Sequence, residues 1–436
     1  RHARFRSCAG STLDFRKTHH GPGRTAATPF ARGADQVNRR YKIVVVGGGV
    51  TGLMAATLLA KSPQRDAMEI TLVDAAPRPV FSPDDDVALR VSAIATGTAE
   101  LFDSVGAWEY TAATRVGPYT RMRSWDENDT PQSSAALQFD ADEFAVGQLG
   151  FIVENVLLQD VLLYQLDRTD AVLRFESPLK VLRRAARHYD VELESGETLT
   201  ADLVVGADGA RSFVRSAVGI EAREWPYEQT AFVTHLQPEK PHGGTAWQRF
   251  LRDGPLGVLP LGDGRVSVVW STTPEQAKAA LAADDAETGR LLSEASDYVL
   301  GKLEVAGPKG AFPLCARHAT SYVLPNVALI GDAAHAIHPL AGQGANLGLQ
   351  DAAELAAQVS GALAAGLHPG DRPVLRRYER ARKGANATML HFMTGLNRLF
   401  ATDSTVIGEI RSAGMRAFNR SGPIRERAVK VALGVG

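Results

Sequence analysis

A chain of 436 residues with 44% hydrophobic, 22% charged and 7% aromatic residues is too long for one small core and reads as two or three interlocked domains, neither fibrous nor disordered. A net charge of -1 excludes the strong global field of a nucleic-acid binder. The two cysteines, Cys8 and Cys315, form no CxxC, which fits a reducing compartment and argues against a disulfide reductase. No apolar run reaches the ~18–20 residues that span a bilayer, and the first residues lack the apolar core of a secretory signal.

In chain order, residues 1–40 carry nine Arg or Lys against Asp14 and Asp35 and few apolar side chains. They read as a disordered Arg-rich tail: an extension with no role in the fold, with a transit peptide as the alternative. Order is expected from Tyr41. Ile43-Val44-Val45-Val46 suits a strand buried on both faces, Leu53 to Lys61 a helix, and Glu69-Ile70-Thr71-Leu72-Val73 a second strand, which the crossover makes parallel to the first. After residue 220, segments such as 232–236, 246–250 and 266–270 alternate with turns and predict an antiparallel sheet. Asn326–Ile330 is again a buried strand, followed by a glycine-rich loop and a helix over Leu349–Leu363, and the remainder reads as helices. The expected division is a discontinuous α/β domain at 41–115, 150–220 and 311–370, a β-rich substrate domain at 116–149 and 221–310, and a helical region at 371–436. That last region holds thirteen basic residues against five acidic ones.

Three motifs carry chemistry. The first is Gly47-x-Gly49-x-x-Gly52, placed between strand and helix, with Asp74 ending the second strand 22 residues on. Gly47 permits a tight turn, Gly49 lets backbone approach a pyrophosphate, and Gly52 lets helix and strand pack closely. The helix N-terminus offers N–H groups to phosphates, and Asp74 can accept from a ribose. The second runs from Leu203 to Ser212, where a buried strand delivers Asp208 and Gly209. This junction is read equally well as a ligand site or as a turn in which Asp208 caps a helix. The third runs from Gly331-Asp332 through His335, Pro339, Gly342, Gly344, Ala345 and Asn346 to Asp351. It places Asp332 at the carboxyl edge of the sheet, where ribityl hydroxyls could be held, and a helix N-terminus where it can face a planar ring and stabilise negative charge on it. His335 and His338 are spaced to share a helix face, but no further ligands complete a metal site, and none is expected. Trp247, Phe250 and Trp270 fall in the β-rich insert, where pocket lining and ordinary core both remain open.

These motifs, in this order, resemble the single-component aromatic flavin hydroxylases. Further segments resemble the ubiquinone-biosynthesis hydroxylases among them: Arg90-Val91-Ser92-Ala93-Ile94, Gly106-Ala107-Trp108, 149–155, Gly254-Pro255-Leu256, 259–261, 312–314 and 378–383. The resemblance covers residues 41–436. It implies a Rossmann-type FAD-binding domain with an inserted antiparallel sheet and a helical C-terminal region. It implies FAD as cofactor and NADPH or NADH as co-substrate. Arg90 would meet the FAD phosphates, Gln159 the ribityl or pyrophosphate region, Asp208 with Gly209 both FAD and nicotinamide, and the backbone around Pro339 and Gly342–Asn346 the flavin ring. The single GxGxxG unit fits an enzyme in which FAD owns the Rossmann unit and the nicotinamide visits.

The implied reaction is hydroxylation by O2 through a flavin C4a-hydroperoxide of a polyprenylated phenol or benzoquinol, with ring carbon 5 favoured, and no side chain is singled out as catalytic. The alternatives are a hydroxylase of another aromatic metabolite, a non-oxygenating flavin oxidoreductase, and a non-catalytic FAD-binding scaffold. The expected location is the cytoplasm, peripheral at the inner face of a membrane through the basic C-terminal region or within a biosynthetic complex. If residues 1–40 are a transit peptide, it is the mitochondrial matrix. A solvated helical surface is the plainer reading of that basic region.

Overall fold

The computed structural model describes residues 39–339, 342–402 and 405–434, so the expected tail and Cys8 lie outside the described residues. Strand β1 (Tyr41–Val46), helix α1 (Val50–Ala60) and β2 (Met68–Val73) form the expected βαβ unit, with Ile43 opposite Ile70 in a parallel ladder. Residues 43–46 are all buried, because α1 covers one face of the sheet and other layers the second; a strand covered on both sides has no polar alternation to show. Next come β3 (Val91–Ala95), β4 (Arg121–Asp126), β5 (Leu137–Asp140), β6 (Gly150–Glu154) and α2 (Asn155–Leu166). They are followed by β7 (Val172–Arg174), a small antiparallel sheet within 179–201, β8 (Leu203–Gly206) and α3 (Phe213–Ala217).

The insert contributes β9 (Ala222–Pro238), β10 (Thr245–Leu251), β11 (Gly254–Pro260) and β12 (Val266–Thr272), then α4 (Pro274–Ala282) and α5 (Asp285–Ala295). Both helices begin on side-chain caps: Thr273 accepts from Gln276 N and Asp284 from Glu287 N. The chain returns through β13 (Leu303–Val305), β14 (Gly310–Ala319), β15 (Val323–Leu324), β16 (Val327–Leu329) and β17 (His335–Ala336). It closes with α6 (Gln343–Ala364), α7 (Arg372–Ala401), α8 (Thr405–Arg420) and α9 (Pro423–Leu433). Helix α6 begins six residues before the expected start, with its N-terminus at the glycine-rich loop.

The central sheet has the order β15-β16-β8-β1-β2-β7 and is parallel except at its β15 edge. A second sheet runs β17-β14-β9-β12-β11-β10-β4-β5, with β13 beside β9. It is antiparallel as expected, save that β10 lies parallel to β4. One face of this sheet packs on α4 and α5 through Phe232, Leu256, Val268, Trp270 and Leu292. The opposite face looks back toward the carboxyl ends of β1, β8 and β16. The C-terminal helices are bound to the second sheet by buried or half-buried arginines. Arg411 of α8 pairs with Asp126 at 2.6 Å, and Arg425 of α9 pairs with Glu143 at 2.5 Å while lying over Phe139 and Phe144.

Candidate functional site

Between the carboxyl edge of the central sheet and the open face of the second sheet lies a cleft of about 570 Å³. Of the residues singled out from sequence, Gly49, Arg90, Gly209, Asp332, Gly342, Gly344 and Ala345 line it. Gly47, Gly52, Asp74, Gln159, Asp208 and Asn346 stand behind that surface and shape it.

The glycines divide by what a side chain would meet. A Cβ on Gly47, whose φ is +113°, would lie 2.3 Å from Ala207 O, and one on Gly52 would lie 2.0 Å from Gly47 O. One on Gly49 would meet nothing within 4 Å, so its backbone is open to the cleft. The peptide of Gly48 is clasped at both ends: its N–H donates to the Asp74 carboxylate, and its carbonyl accepts from Gln159 Nε2 at 2.9 Å. Asp74 also accepts from Ala76 N at 2.6 Å. A carboxylate has about four lone-pair sites, so two contacts leave capacity for ligand hydroxyls.

Asp208 accepts from Ser212 Oγ at 2.5 Å and from Val214 N at 3.0 Å, while Ser212 itself caps α3 by accepting from Arg215 N. Its carboxylate thus serves the start of α3, and Gly209, at φ +76° with no neighbour for a Cβ, is the member of this pair that faces the cleft. Arg90 is exposed at the cleft, 5.9 Å from the ring centre of Phe312.

Asp332 stands at the end of β16 with no hydrogen bond from a described residue to its carboxylate. Its side chain is exposed and lines the cleft. The surrounding protein raises its carboxyl above the ordinary range, against the opposite pull of His335, Arg90 and Arg317. Gly342 has φ +64°, and a Cβ there would meet the Ala93 Cβ at 2.6 Å, so the loop presses directly on β3. Asn346 locks that contact: Oδ1 accepts from Ala95 N at 2.9 Å and Nδ2 donates to Ala93 O at 2.8 Å. Its side chain is spent within the protein, and only its backbone is left to the helix start at the glycine-rich loop.

Beneath the loop lies a cluster whose role is not legible in the sequence. The Asp351 carboxylate is fully buried and accepts from Gly331 N, Arg382 Nε at 2.8 Å and Asn386 Nδ2 at 3.0 Å, with His335 Nε2 at 2.5 Å. Burial would raise its carboxyl, but His335 and Arg382 outweigh that and hold it low. His338 is instead bonded to Gln229 at 3.0 Å. The two histidines lie on β17 and the loop after it, with different partners, and no metal-binding cluster occurs among the described residues. Of the three aromatic candidates, Trp247 borders the cleft but packs with Trp270 in the cluster under α4 and α5, and Phe250 stacks on Phe400 at 3.9 Å. The motifs gave no sign of the cleft's second wall, on which Ala231, Val233, Gln248, Gly257, Val269 and Ser271 stand.

An open phosphate-sized approach at Gly49, an acid at Asp332 without a partner among the described residues and a helix start at Gly342 suit a flavin dinucleotide. The comparisons agree. Residues 40–393 match the model of the FAD binding domain family. The 3-demethoxyubiquinol 3-hydroxylase of Escherichia coli K12 is 35% identical over 91% of this chain and all of its own length. The ubiquinone biosynthesis monooxygenase COQ6 of Xenopus tropicalis is 34% identical, over 90% of this chain and 93% of its own. Among solved structures, Pseudomonas aeruginosa PqsL superposes with a TM-score of 0.71 at 21% identity, covering 86% of this chain and 99% of its own, and so shares the fold. The chain therefore belongs to the FAD binding domain family and is an FAD-dependent monooxygenase. Within that family its relatives are the hydroxylases of ubiquinone biosynthesis.

Proposed function

We propose that this enzyme hydroxylates a polyprenylated phenol or benzoquinol on the route to ubiquinone, with NADPH or NADH as reductant, O2 as oxidant and ring carbon 5 as the favoured position. The observation that carries the reading is the cleft itself, which joins a dinucleotide edge to a mostly apolar sheet face. Bound FAD supplies the electron transfer and oxygen activation.

The chain's own residues bind, orient and exclude water. Gly47, Gly49 and Gly52 shape the pyrophosphate approach, with Arg90 supplying positive charge. Asp74 takes the ribose, Gln159 keeps the loop in shape, and Asp332 receives ribityl hydroxyls. Asp208 sets the turn that presents Gly209. The start of α6 at Gly342, Gly344, Ala345 and Asn346 puts its positive end toward the ring, where it stabilises negative charge on the reduced cofactor. In this reading segments 41–115, 150–220 and 311–370 serve FAD, 116–149 and 221–310 the substrate, and 371–436 the outer surface.

A polyprenyl substrate resides in lipid, and the C-terminal helices offer a surface for it. Phe392, Leu399, Ile410, Ile424 and Val431 are exposed there among basic residues, and no helix among the described residues is long and apolar enough to cross a membrane. The enzyme would then work peripherally, at a cytoplasmic face or at a matrix face if residues 1–40 act as a transit peptide.

The test is NADPH and NADH oxidation by the FAD-loaded protein under air, with and without a short-chain prenylphenol, followed by product mass. Substrate-stimulated turnover and a product one oxygen atom heavier are expected, and fragmentation fixes the ring position. Absence of stimulation by any phenol would overturn the reading.

A further inference from the structure

Strand pairing turns the cleft face of the second sheet into a grid. One row across β4, β10, β11, β12 and β9 reads Ser124, Gln248, Gly257, Val269, Val233. Alternation assigns the faces: Trp247 and Leu251 pack toward α4 and α5, so Gln248 points the other way, where it lines the cleft. Gln248 is only 8% exposed, yet its side-chain amide has no hydrogen-bond partner among the described residues. The amide is not fully enclosed by protein, so it opens onto the cleft, where water or a ligand must supply its hydrogen bonds. Its neighbour across β11 is Gly257, where an added Cβ would meet only Val269 O, at 3.8 Å. The amide therefore stands beside a recess whose floor is a glycine, with Ala246, Leu259 and Pro255 around it.

We propose that Gln248 and Gly257 form the subsite that holds the oxygen substituent of the aromatic ring. Gly257 leaves room for the ring edge. The Gln248 amide, donor and acceptor at once, hydrogen-bonds a ring hydroxyl and so sets which ring carbon faces the cofactor. This rests on the reading of the cleft as an aromatic-hydroxylase site, and it makes Gln248 a specificity-determining residue that touches substrate.

The experiment compares a short-chain prenylphenol with the matching prenylbenzene that lacks the hydroxyl. Dissociation constants are read from the change each ligand causes in the flavin absorbance of the FAD-loaded full chain. Gln248→Leu is expected to weaken the phenol by about 10–100-fold while moving the prenylbenzene by less than about 3-fold. Gly257→Val, which fills the recess, is expected to weaken both ligands. Should Gln248→Leu lose flavin, the same contrast is read on the near-isosteric Gln248→Met. Equal loss for both ligands, or none for the phenol, overturns the subsite. If the wild type selects the phenol over the prenylbenzene but forms no oxygenated product, the subsite stands and the hydroxylase reading falls. If the wild type binds neither ligand, both fall.

Discussion

Asp332 opens onto the cleft, whereas His338 is fully buried. The Asp332 carboxylate has no donor among the described residues and faces the cleft, which suits a group whose partner arrives with the cofactor. Asp332→Ala is expected to purify with markedly less bound FAD; flavin content equal to wild type would remove Asp332 from the cofactor site. His338 is held neutral, pushed down to about 4 by burial. Unfolding returns it to about 6.5, so the unfolded chain binds a proton that the folded chain refuses. Stability should therefore fall as pH drops from about 6.5 to about 4, by roughly 1.4 kcal/mol per unit from this one group. His318, also pushed down to about 4, by burial and then by His335 and Lys383, adds in the same direction. Urea midpoints measured across that range should slope less in His338→Gln; an unchanged slope would place the titration elsewhere. At this scale sequence is legible only for residue type. It pointed to Asn346 because it begins the ring-facing helix, but nothing local shows that its amide is consumed by Ala93 and Ala95, over 240 positions earlier. Gln248 carried no signal at all, since a strand sequence does not say which of its faces meets a cavity.

Among the elements, β1, α1 and β2 were readable because strand, glycine turn and helix are written in contiguous residues whose burial follows local pattern. The parallel pairing of β10 with β4 was not, because the connection spans more than a hundred residues and leaves no periodic trace. The basic C-terminal helices were read as a single charged region, yet their arginines have two kinds of work. Arg382, Arg411 and Arg425 are turned inward onto Asp351, Asp126 and Glu143. The Arg411–Asp126 pair is nearly inaccessible to water, so Arg411→Met should leave a buried unpaired carboxylate and cost about 3–5 kcal/mol. Chemical denaturation followed by tryptophan fluorescence would show it; a loss below about 1 kcal/mol would mean that α8 contributes little to holding the second sheet.

For the molecule as a whole, the proposed contact with lipid rests on the outward residues of those helices. Vesicles containing anionic phospholipid should carry the protein in flotation, and replacing Ile410, Ile424 and Val431 by Ser should reduce the bound fraction several-fold. Equal flotation of the two proteins would reduce this surface to a solvated one.

The cleft draws its cofactor-facing wall from residues near 49, 90, 209, 332 and 345, positions spread over most of the chain. On a ribosome adding about 5–20 residues per second, Gly49 emerges on the order of 15–60 s before Ala345. The phosphate turn must therefore wait, formed but without its opposite wall, while the rest is made. Asp74 emerges soon after it and Gln159 later, both well before Asp332, and together they hold the Gly48 peptide by its two ends. The turn thus has its scaffold during synthesis, and loading of the nucleotide becomes a late event in the enzyme's maturation.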